Sequence, residues 1–383
     1  MLVGEEGTKT ASWRTITAVC LGVAIMVAWY VGFRLPNAWA TTLQTVSVTD
    51  GFHRRIAIGT LLRPLAVATN YDYWLFATFS FLVLAGLIAA LFIAALRSKS
   101  LGQRLLIVAF FLLPTGAYMF HIVGYFDQVL YLMLFVAIWL LGRGRIVAAT
   151  VLMSLVPFVH EIAILSVLPV FGVVALRRTP LKTAVIITAI PTLVNAILLF
   201  VPIASDGAAD TLRAALAQAN FQYRPDAIAV FTRTQWETWK LYRIHEVVVY
   251  VRPVATFIVG AFAVLWWTNR KEWTPRPGLK PILMFVAAAA AIAMPALLVY
   301  AGWDHNRWIM LIASNFMLVA WILLEDSPLS NHACAVLVTT LLVIGHVKID
   351  YFTPDAPRTL TYRDVRWFLR ELRSGEFFVT PSI

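Results

Sequence analysis

Charge is scarce in this sequence. Asp, Glu, Lys and Arg together make up 13% of 383 residues, where a soluble domain carries about a quarter. Apolar side chains fill the deficit at 60%, which excludes a large water-solvated globule and leaves the bilayer as the main solvent. Cysteine is nearly absent: Cys20 and Cys334 both lie in or beside apolar runs, so neither a disulfide framework nor a cysteine-ligated metal centre is expected. No basic tail accompanies the net charge of +11, because Lys and Arg are spread over many short loops. That spread excludes a nucleic-acid partner and points to membrane lipids or a phosphate-bearing substrate. No Walker loop, dinucleotide fingerprint, nucleophile elbow or His-Glu-x-x-His run occurs, so cytosolic nucleotide chemistry is disfavoured. No fixed-period repeat or low-complexity stretch divides the chain, and residues 1–383 form one expected integral-membrane domain.

What the sequence has is a series of apolar runs bounded by charge or turn residues. They fall at 16–33, 73–96, 105–120, 128–142, 146–159, 162–176, 183–203, 247–268, 281–300, 308–324 and 333–349. The expected fold class is all-α, a polytopic transmembrane helix bundle of about 11 spans with interfacial helices on the outer face. Ala38-Trp39-Ala40 resembles a signal-peptidase site, but Ile16 to Phe33 is long for a signal peptide, so an uncleaved first helix is expected. The stretch 146–176 is too long for one ordinary helix, and one helix would bury His160 and Glu161 at mid-bilayer; two short helices meeting at this pair are expected. Short loops with Arg97, Lys99, Arg104, Arg143, Arg145, Arg177, Arg178 and Lys182 mark the inside, giving a cytoplasmic N-terminus and a non-cytoplasmic C-terminus. The loop Glu325 to His332 departs from the pattern, having no Lys or Arg. The setting that fits is a bacterial inner membrane.

Three longer segments lie outside in this topology: 34–72, 204–246 and 350–383. In the last, Thr361 and Asp364 have capping-box spacing, Val365, Phe368, Leu369 and Leu372 make a stripe, and Gly375 suits a helix end. In 204–246, Asp210 is placed to cap a helix that turns Leu212 and Leu216 inward, and Trp236, Trp239 and Tyr242 repeat at helical spacing. Both read as helices lying on the membrane.

Histidine and carboxylate collect on the same side. Six of the seven histidines, all but His332, fall outside or near that face. The densest segment is Asp50-Gly51-Phe52-His53-Arg54-Arg55. Arg54 and Arg55 supply fixed forks for phosphate oxygens, and Asp50 or His53 stands close by as a catalytic proton acceptor. The bland reading is that the arginines meet lipid headgroups and Asp50 caps the next helix. A second segment, Gly302-Trp303-Asp304-His305-Asn306-Arg307-Trp308, offers Arg307 as another phosphate partner, with Asp304 and His305 in a substrate cavity rimmed by indoles. His160 and Glu161 line the same expected cavity. These outer acids and histidines leave room for a divalent metal ion as cofactor, although their scatter defines no ligand spacing.

The layout resembles the integral-membrane glycosyltransferases of the GT-C class, through a cytoplasmic N-terminus, about 11 spans and a long first outer loop bearing an acid, Asp50. The resemblance implies a polyprenyl-phosphate-linked sugar as donor and a glycan, lipid or protein as acceptor. It assigns Asp50 to deprotonating the acceptor or binding metal, and Arg54 and Arg55 to the donor phosphate. Asp50 is followed by Gly51, so the paired-acid pattern frequent in that class is missing. The closest alternative is a polysaccharide polymerase or ligase of the O-antigen or EpsG type. A more distant one is a lipid or solute transporter, disfavoured by the few ionisable residues inside the spans.

Overall fold

The computed structural model describes residues 3–52, 54–200, 205–234, 237, 259, 263, 279–300, 302, 304–325, 331–344, 349–351 and 355–378. The expected span at 247–268 and the surface helix through Trp236, Trp239 and Tyr242 lie outside the described residues. The rest is helical: α1 Val3–Gly32, α2 Ala38–Leu43, α3 Ala57–Ala68, α4 Tyr73–Arg97, α5 Leu101–Leu112, α6 Pro114–His121, α7 Phe126–Gly142 and α8 Ile146–Val159. After these come α9 Val167–Arg178, α10 Leu181–Leu198, α11 Asp206–Leu216, α12 Pro225–Thr232, α13 Leu279–Ala293, α14 His305–Leu323, α15 Asn331–Ile344 and α16 Tyr362–Ser374. No strand occurs among the described residues.

Among the described residues five segments are long and apolar enough to cross a membrane: Arg14–Gly32, Tyr73–Arg97, Leu181–Leu198, Ile282–Tyr300 and His305–Leu323. The chain is an integral membrane protein. The count reaches six with α5 and α6, which form one apolar stretch bent by 60°. Pro114 opens α6, and its ring forces the preceding Leu113 into extended backbone, which ends α5 there. The expected 105–120 span is therefore two pieces. α7, α8 and the apolar part of α15 are shorter apolar helices, below the ~20 residues that span hydrocarbon unaided. Among the described residues length and composition thus mark five or six crossings, and the expected count of about 11 is not confirmed by them.

α14 is the axis of the bundle. Its apolar window is 78% buried, against 22–33% for the other four crossing segments. It packs on α5, α9 and α13, while α7 packs on α4, α8 and α9. Midway along α14, Asn315 donates to the carbonyls of Ser166 (2.9 Å) and Ala291 (2.7 Å) and accepts from the Tyr131 hydroxyl (2.7 Å). A fully buried amide thus has three partners on three elements, as an apolar environment requires. Where α14 ends, Arg178 reaches Glu325 at 3.4 Å and Arg177 donates to the Ile322 carbonyl. The Glu325 loop, poor in cations by sequence, meets them from α9.

At the opposite end of the bundle, α1 closes against α6. A Cβ on Gly32 would stand 1.8 Å from the Ala117 carbonyl oxygen, so no side chain fits. Arg358 of the tail donates to the Tyr30 (3.1 Å) and Phe33 (2.8 Å) carbonyls, supplying donors that the end of α1 lacks, and its guanidinium stacks on Phe368 at 4.5 Å. α16 forms as expected, capped by Thr361 and ended by left-handed Gly375. Asp364, however, accepts from the Thr359 backbone (3.1 Å) rather than closing a box on Thr361, and Leu369 faces outward while Phe368 is buried. In α11, Leu212 and Leu216 are buried as expected, but Ser205 is the cap and Asp210 instead pairs with Arg213 at 2.6 Å.

Replacing Gly32 with valine is expected to lower stability by about 1–3 kcal/mol through overpacking. Gly22→Val, where nothing lies within 4 Å of the added carbon, should leave it unchanged. Thermal unfolding of the two variants in the same detergent makes the comparison.

Candidate functional site

The site grows from the break between α8 and α9. α8 stops at Val159, His160 is extended, and a short 3-10 turn, Glu161–Ile164, follows outside both helices. The turn lies at the end of the bundle where α14 begins, and it holds a buried carboxylate. Arg55 clamps Glu161 from two directions, with Nε 2.8 Å from Oε2 and Nη2 on Oε1. Arg54 approaches Oε1 at 3.7 Å and donates to the Arg233 carbonyl at 2.9 Å. Arg55 makes its fork from left-handed backbone, φ +66°. A side chain raises the energy of that conformation, and the two-point contact with Glu161 offsets it.

His160 continues the chain of contacts. Its Nδ1 lies 3.1 Å from Glu161 Oε2, and its Nε2 lies 3.1 Å from Nη2 of Arg307. A guanidinium only donates, so Nε2 must accept and the imidazole proton belongs on Nδ1, directed to Glu161. The histidine is neutral, oriented from both sides. Arg307 Nε then meets Asp127 Oδ2 at 2.5 Å, and the guanidinium carbon sits 5.1 Å from the ring centroids of both Tyr125 and Trp308. One polar line therefore runs Arg54/Arg55, Glu161, His160, Arg307, Asp127, joining the first loop, α7, the α8–α9 break and α14.

Asp304 lies beside it. As N-cap of α14 it accepts from the Arg307 backbone N–H at 3.3 Å, and the Tyr118 hydroxyl donates to the same Oδ1 at 3.3 Å. Its Oδ2 has no donor among the described residues. The surroundings bias protonation in opposite directions. Burial lifts the Asp304 carboxyl to about 6, against the pull of Arg307. Burial acts upward on Glu161 as well, but Arg55, His160 and Arg54 overcome it and hold the carboxyl well below the carboxylate range. Burial first, then Arg55, lowers His160 to about 4. Three guanidiniums, Arg54, Arg55 and Arg307, thus stand together with the Glu161 and Asp127 carboxyls that they contact and with the raised carboxyl of Asp304.

Of the residues singled out by sequence, Arg54, Arg55, His160, Glu161, Asp304 and Arg307 are brought together. His305 follows as the first, half-buried residue of α14. Asp50 is not part of the line. Its Oδ2 accepts from the Ser47 backbone (2.8 Å) and hydroxyl (2.9 Å), and Arg63 bonds its Oδ1 at 3.2 Å. Those contacts close the 3-10 turn Val48–Asp50 on Ser47 and tie it to Arg63 of α3, a stabilising role, although Asp50 does not cap α3, whose N-cap is Ile56. His53 lies outside the described residues, as do His245 and Glu246. By sequence Asp127 counts only as one of the acids at the outer helix ends, with no site role, and Tyr118 and Tyr125 are not singled out. Asp127 carried a readable signal, being the one acid in the apolar helix α7; the tyrosines do not stand out in a chain that is 13% aromatic. Among the described residues no three His, Cys, Asp or Glu side chains come together to hold a metal ion, since the guanidiniums intervene.

Glu161→Gln leaves Arg54 and Arg55 without their carboxylate and should cost about 3–5 kcal/mol. Adding Arg55→Gln should recover part of that loss, which a double-mutant cycle on thermal unfolding reads directly. Stability should also fall with acidification. His160 is neutral in the fold down to about 4 against an ordinary 6.5, so its contribution is complete above pH 6.5 and erodes below it. Glu161, held below its ordinary 4.5, adds a further loss below that pH. His160→Gln should remove the upper part of the profile only.

Compared with known proteins, the chain matches no family model, no curated protein and no solved structure.

Proposed function

We propose that the protein is a membrane glycosyltransferase that moves a sugar from a polyprenyl-phosphate donor to a glycan, lipid or protein acceptor at the non-cytoplasmic face of a bacterial inner membrane. The observation that carries this reading is the buried line of guanidiniums at one end of an apolar bundle, with Asp304 beside it. A lipid phosphate needs two things at once: a hydrocarbon path for its chain and fixed positive charge for its head. Arg54, Arg55 and Arg307 supply the charge from side chains already oriented by Glu161, His160 and Asp127, so little reorganisation accompanies binding.

In the proposed step an acceptor hydroxyl attacks the anomeric carbon of the sugar. The new carbon–oxygen bond forms as the bond to the phosphate oxygen breaks, and the electron pair leaves on the phosphate, beside the guanidiniums. The hydroxyl proton passes to Oδ2 of Asp304. A carboxyl lifted to about 6 is matched to proton transfer near neutral pH. Asp304 fits the base better than Asp50, both of whose oxygens are engaged by Ser47 and Arg63. Two adjacent arginines also suit a lipid pyrophosphate, the donor of the polymerase and ligase alternative; product size separates one transferred sugar from a whole repeat unit.

Purified protein in lipid nanodiscs, offered a panel of polyprenyl-phosphate hexoses and pentoses, should release polyprenyl phosphate and glycosylated product. Asp304→Asn should lower kcat by about 10²–10⁴-fold with little change in donor KM. The wild-type rate should climb as pH rises through about 6, where Asp304 loses its proton, and the variant should lose that limb. Equal turnover by wild type and variant removes Asp304 from the step; no transfer from any donor in the panel rejects the reading.

A further inference from the structure

α16 carries a row of cations with no salt bridge or hydrogen bond among the described residues. Arg363, Arg366, Arg370 and Arg373 follow one another at steps of three, four and three residues, the spacing that keeps side chains on one face of a helix. The row runs for about 15 Å at 1.5 Å per residue, and all four side chains are exposed. Like charges at such spacing repel one another. The two acids of the helix, Asp364 and Glu371, fall outside the row, and Asp364 already accepts from the Thr359 backbone (3.1 Å) and hydroxyl (2.5 Å).

The packing of α16 says where this face points. Phe368 lies two positions from both Arg366 and Arg370, hence on the far side of the helix. It is buried against Trp29 and Tyr30 of α1, with ring centroids 5.4 and 5.3 Å away. Those two residues belong to the last turn of the crossing segment Arg14–Gly32, so α16 lies at the level where that span leaves the hydrocarbon. The Tyr30 hydroxyl donates to the Thr359 carbonyl (2.8 Å) and Arg34 meets Asp355 (3.2 Å), which holds the approach to α16 at the same level. Ile16, Val19, Val23 and Met26 form an exposed apolar stripe along α1, the side that lipid covers, and Tyr30 continues that stripe by one turn. Because Phe368 covers Tyr30, α16 is seated on the lipid side of α1. The arginine face, opposite Phe368, looks outward along the membrane.

The borders of the row agree with that setting. Trp367 and Leu369 flank it on either side, and both are more than half exposed. Large apolar side chains beside four guanidiniums are ill placed in open water. They match the headgroup layer, where indole and aliphatic groups reach inward and arginine heads meet phosphate. A guanidinium fork takes a phosphate at two points. A zwitterionic lipid offers the same phosphate but carries an ammonium that the row repels. A water-soluble polyanion would answer the arginines and leave Trp367 and Leu369 wet.

We infer that α16 is a docking surface for anionic phospholipid, which Arg363, Arg366, Arg370 and Arg373 select from the surrounding bilayer. The inference rests on how α16 packs and not on the transferase reading.

The test puts the photoreactive residue p-benzoylphenylalanine in place of Leu369 in the full chain, held in nanodiscs of equal parts phosphatidylglycerol and phosphatidylcholine with the same acyl chains. Photolysis and mass spectrometry then count the two lipid adducts at that position. Phosphatidylglycerol adducts should exceed phosphatidylcholine adducts by at least about fivefold, the factor that one arginine near anionic lipid commands. Arg363→Gln, Arg366→Gln, Arg370→Gln and Arg373→Gln together should bring the two adducts level with thermal unfolding unchanged. Arg143→Gln with Arg145→Gln, exposed in another loop, should leave the preference as it was. Raising salt from about 0.05 to 0.5 M should lower it, and this readout stands even if the fourfold variant fails to fold. Equal adducts without any substitution, or a preference that survives loss of all four arginines, overturns the inference. So does an absence of lipid adducts at position 369, which would leave the row to a soluble acidic partner.

Discussion

A single guanidinium organises this end of the molecule. Arg307 sits on the first turn of the most enclosed of the five crossing segments, where burial would be prohibitive for an unpaired charge. It survives there because Asp127, His160 and two aromatic faces surround it. Asp127 and Tyr125 stand at the start of α7 and His160 in the α8–α9 break, so satisfying Arg307 fixes α7, that break and the entry to α14 relative to one another. His160 passes the constraint on. With Nε2 turned to a donor, its proton has one direction left, toward Glu161, and Glu161 in turn holds Arg54 and Arg55 of the first loop. Local strain at Arg55 is understandable in the same terms: the loop is bent to deliver a fork to a carboxylate already in place.

The same economy explains why the helices near the site are short. A continuous 31-residue helix through 146–176 would carry His160 and Glu161 into hydrocarbon on its flank; breaking it lets the pair turn inward to cationic partners. The break at Pro114 places Tyr118 beside Asp304. Irregular backbone is tolerated at such depth only where it is covered by protein, and here the covering elements are the ones that complete the polar line.

Sequence showed much of this because two of its signals are local. A charged pair inside an otherwise apolar run forces a helix break whatever surrounds it, and adjacent arginines in a loop of a membrane chain imply an anion. Partner choice is not local. Asp50 stands four residues from Arg54 and was the natural companion, yet Arg63, nearly two helix turns into α3, takes it. Asp127 receives its guanidinium from α14, 180 residues away, which no local pattern announces. The count of about 11 crossings is not confirmed by the described residues for a related reason. Apolar composition marks burial of either kind, in lipid or in protein, and α7 and α8 are apolar without having the length that lipid alone would demand.

The central claim is that this buried line of arginines exists to hold a lipid phosphate. The most direct measurement is an electron cryomicroscopy map of the protein in nanodiscs saturated with polyprenyl monophosphate. The account predicts phosphate density within hydrogen-bonding distance of at least two of Arg54, Arg55 and Arg307, with the chain leaving between helices. Phosphate density away from all three, with the Arg55–Glu161 and Arg307–Asp127 pairs unchanged, would contradict it and leave the line a purely structural brace.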